Sequence, residues 1–180
     1  MPSGWCLCKF SDLAIYKKGP FGSSFTKSMF VDEKTPNRIK VYEQKNAIQK
    51  NAFIGDYYIS YDKYLTMSSF EVFPNEIIVS CAGTIGEIFL LPPNSPKGII
   101  NQALMKVSLI NTHLLYFFEE LLFYSLQTLS GVSKGTAIKN IPPFEILKPF
   151  VVKLPPIKEQ TRILLKLNVI RSMLNDISNY

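Results

Sequence analysis

Three stretches of this 180-residue chain concentrate lysines with small hydroxyls and side-chain amides. Lys17, Lys18, Ser23, Ser24 and Lys27 surround Gly19-Pro-Phe-Gly22, and Gln44, Lys45 and Asn46 follow Tyr42. Ser133, Lys134, Thr136 and Lys139 surround a second glycine loop, Gly131 to Gly135. Lysines neutralise phosphates, hydroxyls and backbone amides fix register on a sugar–phosphate backbone, and Gln or Asn can bond adenine bidentately. In this pattern Lys27, Lys45, Lys134 and Lys139 are candidate phosphate contacts, and Gln44, Asn46 and Thr136 candidate base contacts. Solvated loops carry such residues anyway, so the weight rests on finding three groups within two basic segments.

The charge distribution defines those segments. Residues 9–50 hold nine basic groups against four acids, residues 51–120 three against seven, and residues 121–155 four against Glu145. A net charge of +6 arranged in blocks implies a positive face formed by the first and third segments. A merely solvated surface is the bland alternative.

Catalytic constellations are missing. His113 is the only histidine, which excludes a two-histidine metal site; it sits at a helix start and reads as structural rather than as the base of a Cys–His dyad or a Ser–His–Asp triad. Gly-x-x-x-x-Gly-Lys-Ser/Thr is absent. Asn140-Ile-Pro-Pro-Phe144 is similar to the Asn-Pro-Pro-aromatic motif of amino-group methyltransferases, but Ile141 separates the polar side chain from the proline pair. No Gly-rich turn for S-adenosylmethionine accompanies it. The carboxylates form no nuclease-like cluster. The chain reads as a binding module with no cofactor and no metal.

The elements that hold these loops read as α+β. An apolar share of 47% is enough for a sizeable core. Cys6, Cys8 and Cys81 fit neither a disulfide framework nor a zinc site and are expected as free thiols in a reducing cytoplasm. The N-terminus lacks an export signal, and Leu114-Leu-Tyr-Phe-Phe118 is far too short to span a membrane, so a cytoplasmic location is expected. Residues 38–43 alternate polar and apolar, as a half-buried strand does. Residues 5–15 read as a strand or helix entry, 53–59 as a strand, and 62–66 as a short helix. Ile77 to Cys81 and Glu87 to Leu91 are expected to form a hairpin across Gly83-Thr-Ile-Gly86. Strands follow at Ala103–Leu109 and Phe150–Leu154, with an apolar helix between them that starts at a Thr112 cap and runs to about Leu129. Together these predict a mixed, largely antiparallel curled sheet with short helices over residues 1–155.

The last 25 residues predict a long helix opened by Pro156, with Glu159 in its first turn. Ile163, Leu167, Ile170, Leu174 and Ile177 follow a 4-3-4-3 heptad seam, expected to mediate homodimerisation. Leu165, Val169 and Met173 make a second stripe. One stripe is expected to pack on the helix's own domain and the other on a partner; a single wide stripe against the core is the alternative.

Gly19-Pro-Phe-Gly-Ser-Ser24, Val41-Tyr-Glu-Gln-Lys-Asn46, Pro74-Asn-Glu-Ile-Ile-Val-Ser80 with Gly83-Thr-Ile-Gly86, Asn101-Gln102, Gly135, and Leu154-Pro-Pro-Ile-Lys-Glu-Gln160 come in a telling order. In that order and spacing they resemble the specificity subunit of type I restriction–modification systems. The resemblance covers most of the chain. It implies a DNA target-recognition domain over residues 1–155 followed by a conserved spacer helix over 156–180. It also implies that the protein reads one half of a bipartite site in double-stranded DNA, while methyltransferase subunits and a restriction subunit carry the chemistry. The family's unit occurs twice per subunit and here once. At 1.5 Å per residue, the helix from Pro156 to about Ser178 is roughly 34 Å long, near one turn of B-DNA. A second copy paired through the seam would restore the two-domain arrangement. Two alternatives stay open: an adaptor that binds methyltransferase subunits without reading DNA, and a fragment of a fused methyltransferase–specificity enzyme. The Met1 start, with no linker before Trp5, speaks against the latter.

Overall fold

A computed structural model describes residues 1–132 and 147–178. Strand β1 (Cys6–Lys9) pairs antiparallel with β11 (Val151–Leu154), Cys6 opposite Leu154, and ties the N-terminus to the start of the last helix. Helix α1 (Phe10–Leu13) is a single turn that buries Phe10 edge-on against Phe118, ring centroids 5.8 Å apart. A four-stranded antiparallel sheet follows in the order β2 (Ala14–Lys18), β10 (Leu104–Leu109), β7 (Ile77–Ser80), β8 (Ile88–Leu90). A five-stranded sheet has the order β3 (Phe30–Val31), β5 (Tyr58–Ile59), β4 (Ile39–Tyr42), β9 (Gly98–Ile100), β6 (Glu71–Val72). Only β4 and β9 run parallel among these described pairs. The α+β architecture with mixed, largely antiparallel sheets is as the sequence predicts.

Alternation along β7 explains the layering. Ile77 and Val79 enter one core with Phe10, Phe118, Leu122 and Leu126, so this face is covered by helix α4 (Leu115–Val132). Ile78 points the other way, into a core with Tyr42, Ile100 and Leu104. A strand wedged between a helix and a second sheet is apolar on both faces. Helix α2 (Gln44–Ile48) contributes Ala47 to that second core, and α3 (Tyr61–Met67) caps a third with Ile39, Val41, Ile59 and Ile99.

Strand β4 departs from the sequence reading. All four of its residues are buried, including Lys40 at 2% exposure. Its ammonium donates to the carbonyls of Ile54 (2.7 Å) and Gly55 (3.2 Å), so a polar position in an alternating pattern lies inside. Burial, then the nearby Lys45, lowers its pKa from the usual 10.5. The alternation is genuine but does not mark a solvent face, because β9 and a carbonyl-lined turn cover it. Strand β9 itself carries no clear signal in the sequence. The cap before α4 is Asn111, whose side chain accepts from the His113 amide, rather than Thr112.

Buried ionisable groups set a pH limit. Tyr16 and Tyr42 donate their hydroxyls to Phe10 and Pro96 carbonyls, and burial raises both pKa values far above the usual 10. The Cys81 thiol is pushed up to about 11, mainly by burial. Raised folded-state values mean that the native state holds protons the unfolded chain has lost. Their stabilisation is complete below the ordinary pKa and drains as pH rises, at about 1.4 kcal/mol per pH unit per group. Lys40, with a lowered value, acts oppositely but only up to its unfolded pKa of 10.5. Above that the tyrosines act unopposed. Urea melts should therefore show stability falling steeply from pH 10 to 12, and an unchanged midpoint would mean the two hydroxyls are hydrated.

Candidate nucleic-acid interface

The antiparallel ladder gathers three connections at one end of the four-stranded sheet. Lys18 ends β2 opposite Met105, Leu104 starts β10 opposite Ser80, and Val79 faces Ile88 at the start of β8. The loops that leave there are 19–24, 101–103 and 81–87. Asn101 joins them to the second sheet, since its amide donates to the Tyr42 carbonyl (3.0 Å) at the end of β4. Gly19 packs so closely that a Cβ on it would lie 1.8 Å from the Asn101 carbonyl oxygen. Its own amide donates to the Leu104 carbonyl (2.8 Å). No side chain fits there, so the first glycine loop is pinned to the Asn101-Gln102 turn, and both adjoin the start of α2. The hairpin tip is tied as well: Lys50, just after α2, reaches Glu87 (2.7 Å) and the Ile88 carbonyl (2.5 Å).

The structure sorts the sequence candidates. Lys18, Ser23 and Lys27 are exposed. Ser24 is half-buried, and its amide closes the turn onto the Phe21 carbonyl. Lys17 is half-buried with its ammonium 4.6 Å from the centre of the Phe70 ring. Gln44 opens α2 and is half-buried; Lys45 sits 3.1 Å from the Glu43 carboxylate, which offsets its charge. Ser133, Lys134, Thr136 and Lys139 lie outside the described residues.

Asn46 requires a correction. It is fully buried, its Oδ1 accepts from the Glu43 amide (2.8 Å), and its Nδ2 donates to the Asn51 (2.9 Å) and Ile54 (2.8 Å) carbonyls. No part of that amide is left for a base. Asn46 instead holds the turn after β4 against the loop that solvates Lys40. Asn46→Ala should cost stability by about 2–3 kcal/mol, because the Glu43 amide and the Asn51 carbonyl lose their partner while the Ile54 carbonyl keeps only Lys40. A melting temperature equal to that of the parent would contradict this role.

The last helix, α5 (Ile157–Ser178), begins firmly anchored and ends free of the domain. Gln160 is buried and donates to the Pro155 carbonyl (2.8 Å). Ile163 and Leu167 are half-buried where α5 packs on α4, and Arg171 grips Glu120 with two hydrogen bonds (2.5 and 2.6 Å). Beyond that, Ile170, Leu174 and Ile177 are more than half exposed, as are Leu165, Val169 and Met173. The expected division, one stripe on the domain and one on a partner, therefore does not hold within the chain. Its own domain covers only the first part of the seam.

The profile of the type I restriction modification DNA specificity domain matches residues 2–179. The chain belongs to this family.

Solved structures agree on the fold of the specificity domain. A chain from a study of complex assembly and conformational transition of the type I R-M system superposes with a TM-score of 0.67 at 18% identity, covering 98% of this chain and 40% of that one. The HsdS subunit from Thermoanaerobacter tengcongensis gives 0.63 at 16% identity, covering 98% and 39%. The type I S subunit from M. genitalium gives 0.56 at 12%, covering 96% and 45%. The chain thus spans less than half the length of these structural relatives. No curated protein matches it in sequence.

Two residues of the specificity domain's loop end escaped the sequence reading. Phe21 is 87% exposed and Gln102 is exposed beside it. Both lie in stretches that carry the family resemblance, Gly19-Pro-Phe-Gly-Ser-Ser24 and Asn101-Gln102. Among the described residues, no group of three or more His, Cys, Asp or Glu is placed to hold a metal ion, and no helix is long and apolar enough to cross a membrane.

Proposed function

We propose that this chain reads one half of a bipartite site in double-stranded DNA for a type I restriction–modification complex. Residues 1–155 act as the target-recognition domain and residues 156–180 as the spacer and dimerisation helix. A second copy, paired through α5, supplies the other half-site. Methyltransferase subunits dock on this pair, a restriction subunit joins through them, and those partners carry every chemical step in the cytoplasm. The observation that carries the reading is the pinning of the first glycine loop, the Asn101-Gln102 turn and the start of α2 around Asn101. That arrangement presents exposed lysines, hydroxyls and amides on a rigid base, as positioning on phosphates and base readout require.

The test is footprinting of the chain assembled with methyltransferase subunits, together with assays of the chain alone. The complex should protect a two-part site, and log affinity should fall linearly with log salt. The purified chain should neither methylate nor cut DNA. Methyl transfer without added partner would overturn the non-catalytic reading. Assembly with methyltransferase subunits without any DNA protection would favour the adaptor reading.

A further inference from the structure

We infer that Phe21 and Gln102 form the base-contacting tip of this domain. Phe21 acts as an apolar wedge at a base step of duplex DNA, and Gln102 bonds the base edge beside it. The inference rests on the DNA-reading function proposed above.

A singly exposed apolar side chain needs no explanation in itself. Phe21 differs because everything around its backbone is fixed. Gly19 is locked against Asn101, Pro20 is buried, the Phe21 carbonyl accepts from the Ser24 amide (2.8 Å), and the Gly22 carbonyl accepts from Phe25 (3.1 Å). The ring therefore stands 87% exposed on a rigid 3-10 turn over Gly22–Ser24. A ring presented this way loses little conformational entropy when it inserts.

Its surroundings select the partner. Phe21 and Phe70 border a half-open cavity of about 540 Å³ that Lys18 and Gln102 also line. Lys17 lies over the Phe70 ring, and Ser23 and Lys27 follow on the outside of the turn. An apolar ring flanked by cations and hydroxyls is complementary to a polyanion with an apolar interior, which duplex DNA is. Wedge residues of this kind unstack a base step while neighbouring cations hold the phosphates.

Gln102 is the amide best placed to read at that step. Its side-chain Cγ lies 3.9 Å from where a Cβ on Gly22 would sit, so the stem runs along the glycine turn. The exposed amide can then bond adenine bidentately. Of the other amides at this end, Asn101 Oδ1 accepts from the Ala103 amide (3.0 Å), Asn46 is buried with its bonds made, and Gln44 is half-buried at the start of α2.

The experiment uses the full chain assembled with methyltransferase subunits. Duplexes are selected from a randomised pool, and the selected sequence is then remade with 2-aminopurine at successive positions. With the parent complex, fluorescence should rise at one step in each half-site, reporting unstacking. Phe21→Ala should remove that rise and weaken binding about tenfold or more, with salt slope and melting temperature unchanged; Phe21→Trp should restore both. Gln102→Ala should erase the preference at one position, about tenfold, and leave the rise in place. If no step brightens and replacing thymine by deoxyuridine costs the affinity instead, Phe21 touches a methyl group and the wedge is wrong. If both variants select the parent sequence at parent affinity while Lys18→Ala/Lys27→Ala weakens binding, the tip is wrong but DNA reading stands. If the parent complex enriches no duplex, DNA reading falls and the tip falls with it.

Discussion

Changing Lys18, Lys27, Lys134 and Lys139 together to alanine should weaken binding of the assembled complex to every duplex alike. Each phosphate neutralised contributes about 0.9 to the slope of log affinity against log salt, so the slope should flatten by roughly three to four units for each copy of the chain in the complex. At about 0.15 M salt that amounts to an affinity loss on the order of a thousandfold per copy. The ratio of specific to nonspecific affinity should hardly move, because phosphate contacts position the protein without reading sequence. Lys45 and Lys17 are poorer choices for this test. Lys45 already faces Glu43 at 3.1 Å, and Lys17 is drawn over Phe70. Removing either changes a local partnership as well as the field. Titration by fluorescence anisotropy at several salt concentrations checks the prediction, and a parent-like slope would mean that the basic face is a solubility feature.

The elements that were legible in the sequence are those whose cause is local. The β7–β8 hairpin is dictated by two apolar runs and the glycine turn between them, and helix α5 by its caps and period. The parallel pairing of β4 with β9 was not legible, because nothing near Lys40 specifies that Gly98 lies opposite it. The same non-local contact decides which polar residues are inside. Lys40 and Asn46 look like surface residues in sequence, yet each is satisfied by the carbonyls of Ile54 and its neighbours, which only the folded loop brings near. A side chain that completes a turn and one that reads a base have the same composition. That ambiguity is why Asn46 has the composition of a base contact while its folded amide is spent on the turn after β4.

Placing Glu at both Ile170 and Leu174 should abolish self-association while leaving the domain folded. The seam runs Ile163, Leu167, Ile170, Leu174 and Ile177, and only its first two positions are half-covered by the chain's own domain. The other three are exposed along with Leu165, Val169 and Met173, a larger apolar strip than an isolated helix keeps in water without a partner. Burying two unpaired carboxylates in such a seam costs several kcal/mol, enough to weaken a dimer by about a hundredfold or more. In the monomer the same carboxylates face water, so the variant should melt at the temperature of the parent measured dilute enough to dissociate its dimer, and independently of concentration. That contrast separates an intermolecular seam from one that folds back on its own domain, where the melting temperature would drop instead. Sedimentation at tens of micromolar reads the outcome directly. A parent chain that is already monomeric there, with the double variant less stable, would mean that the exposed half of the seam closes onto its own domain and that no second copy is held by α5.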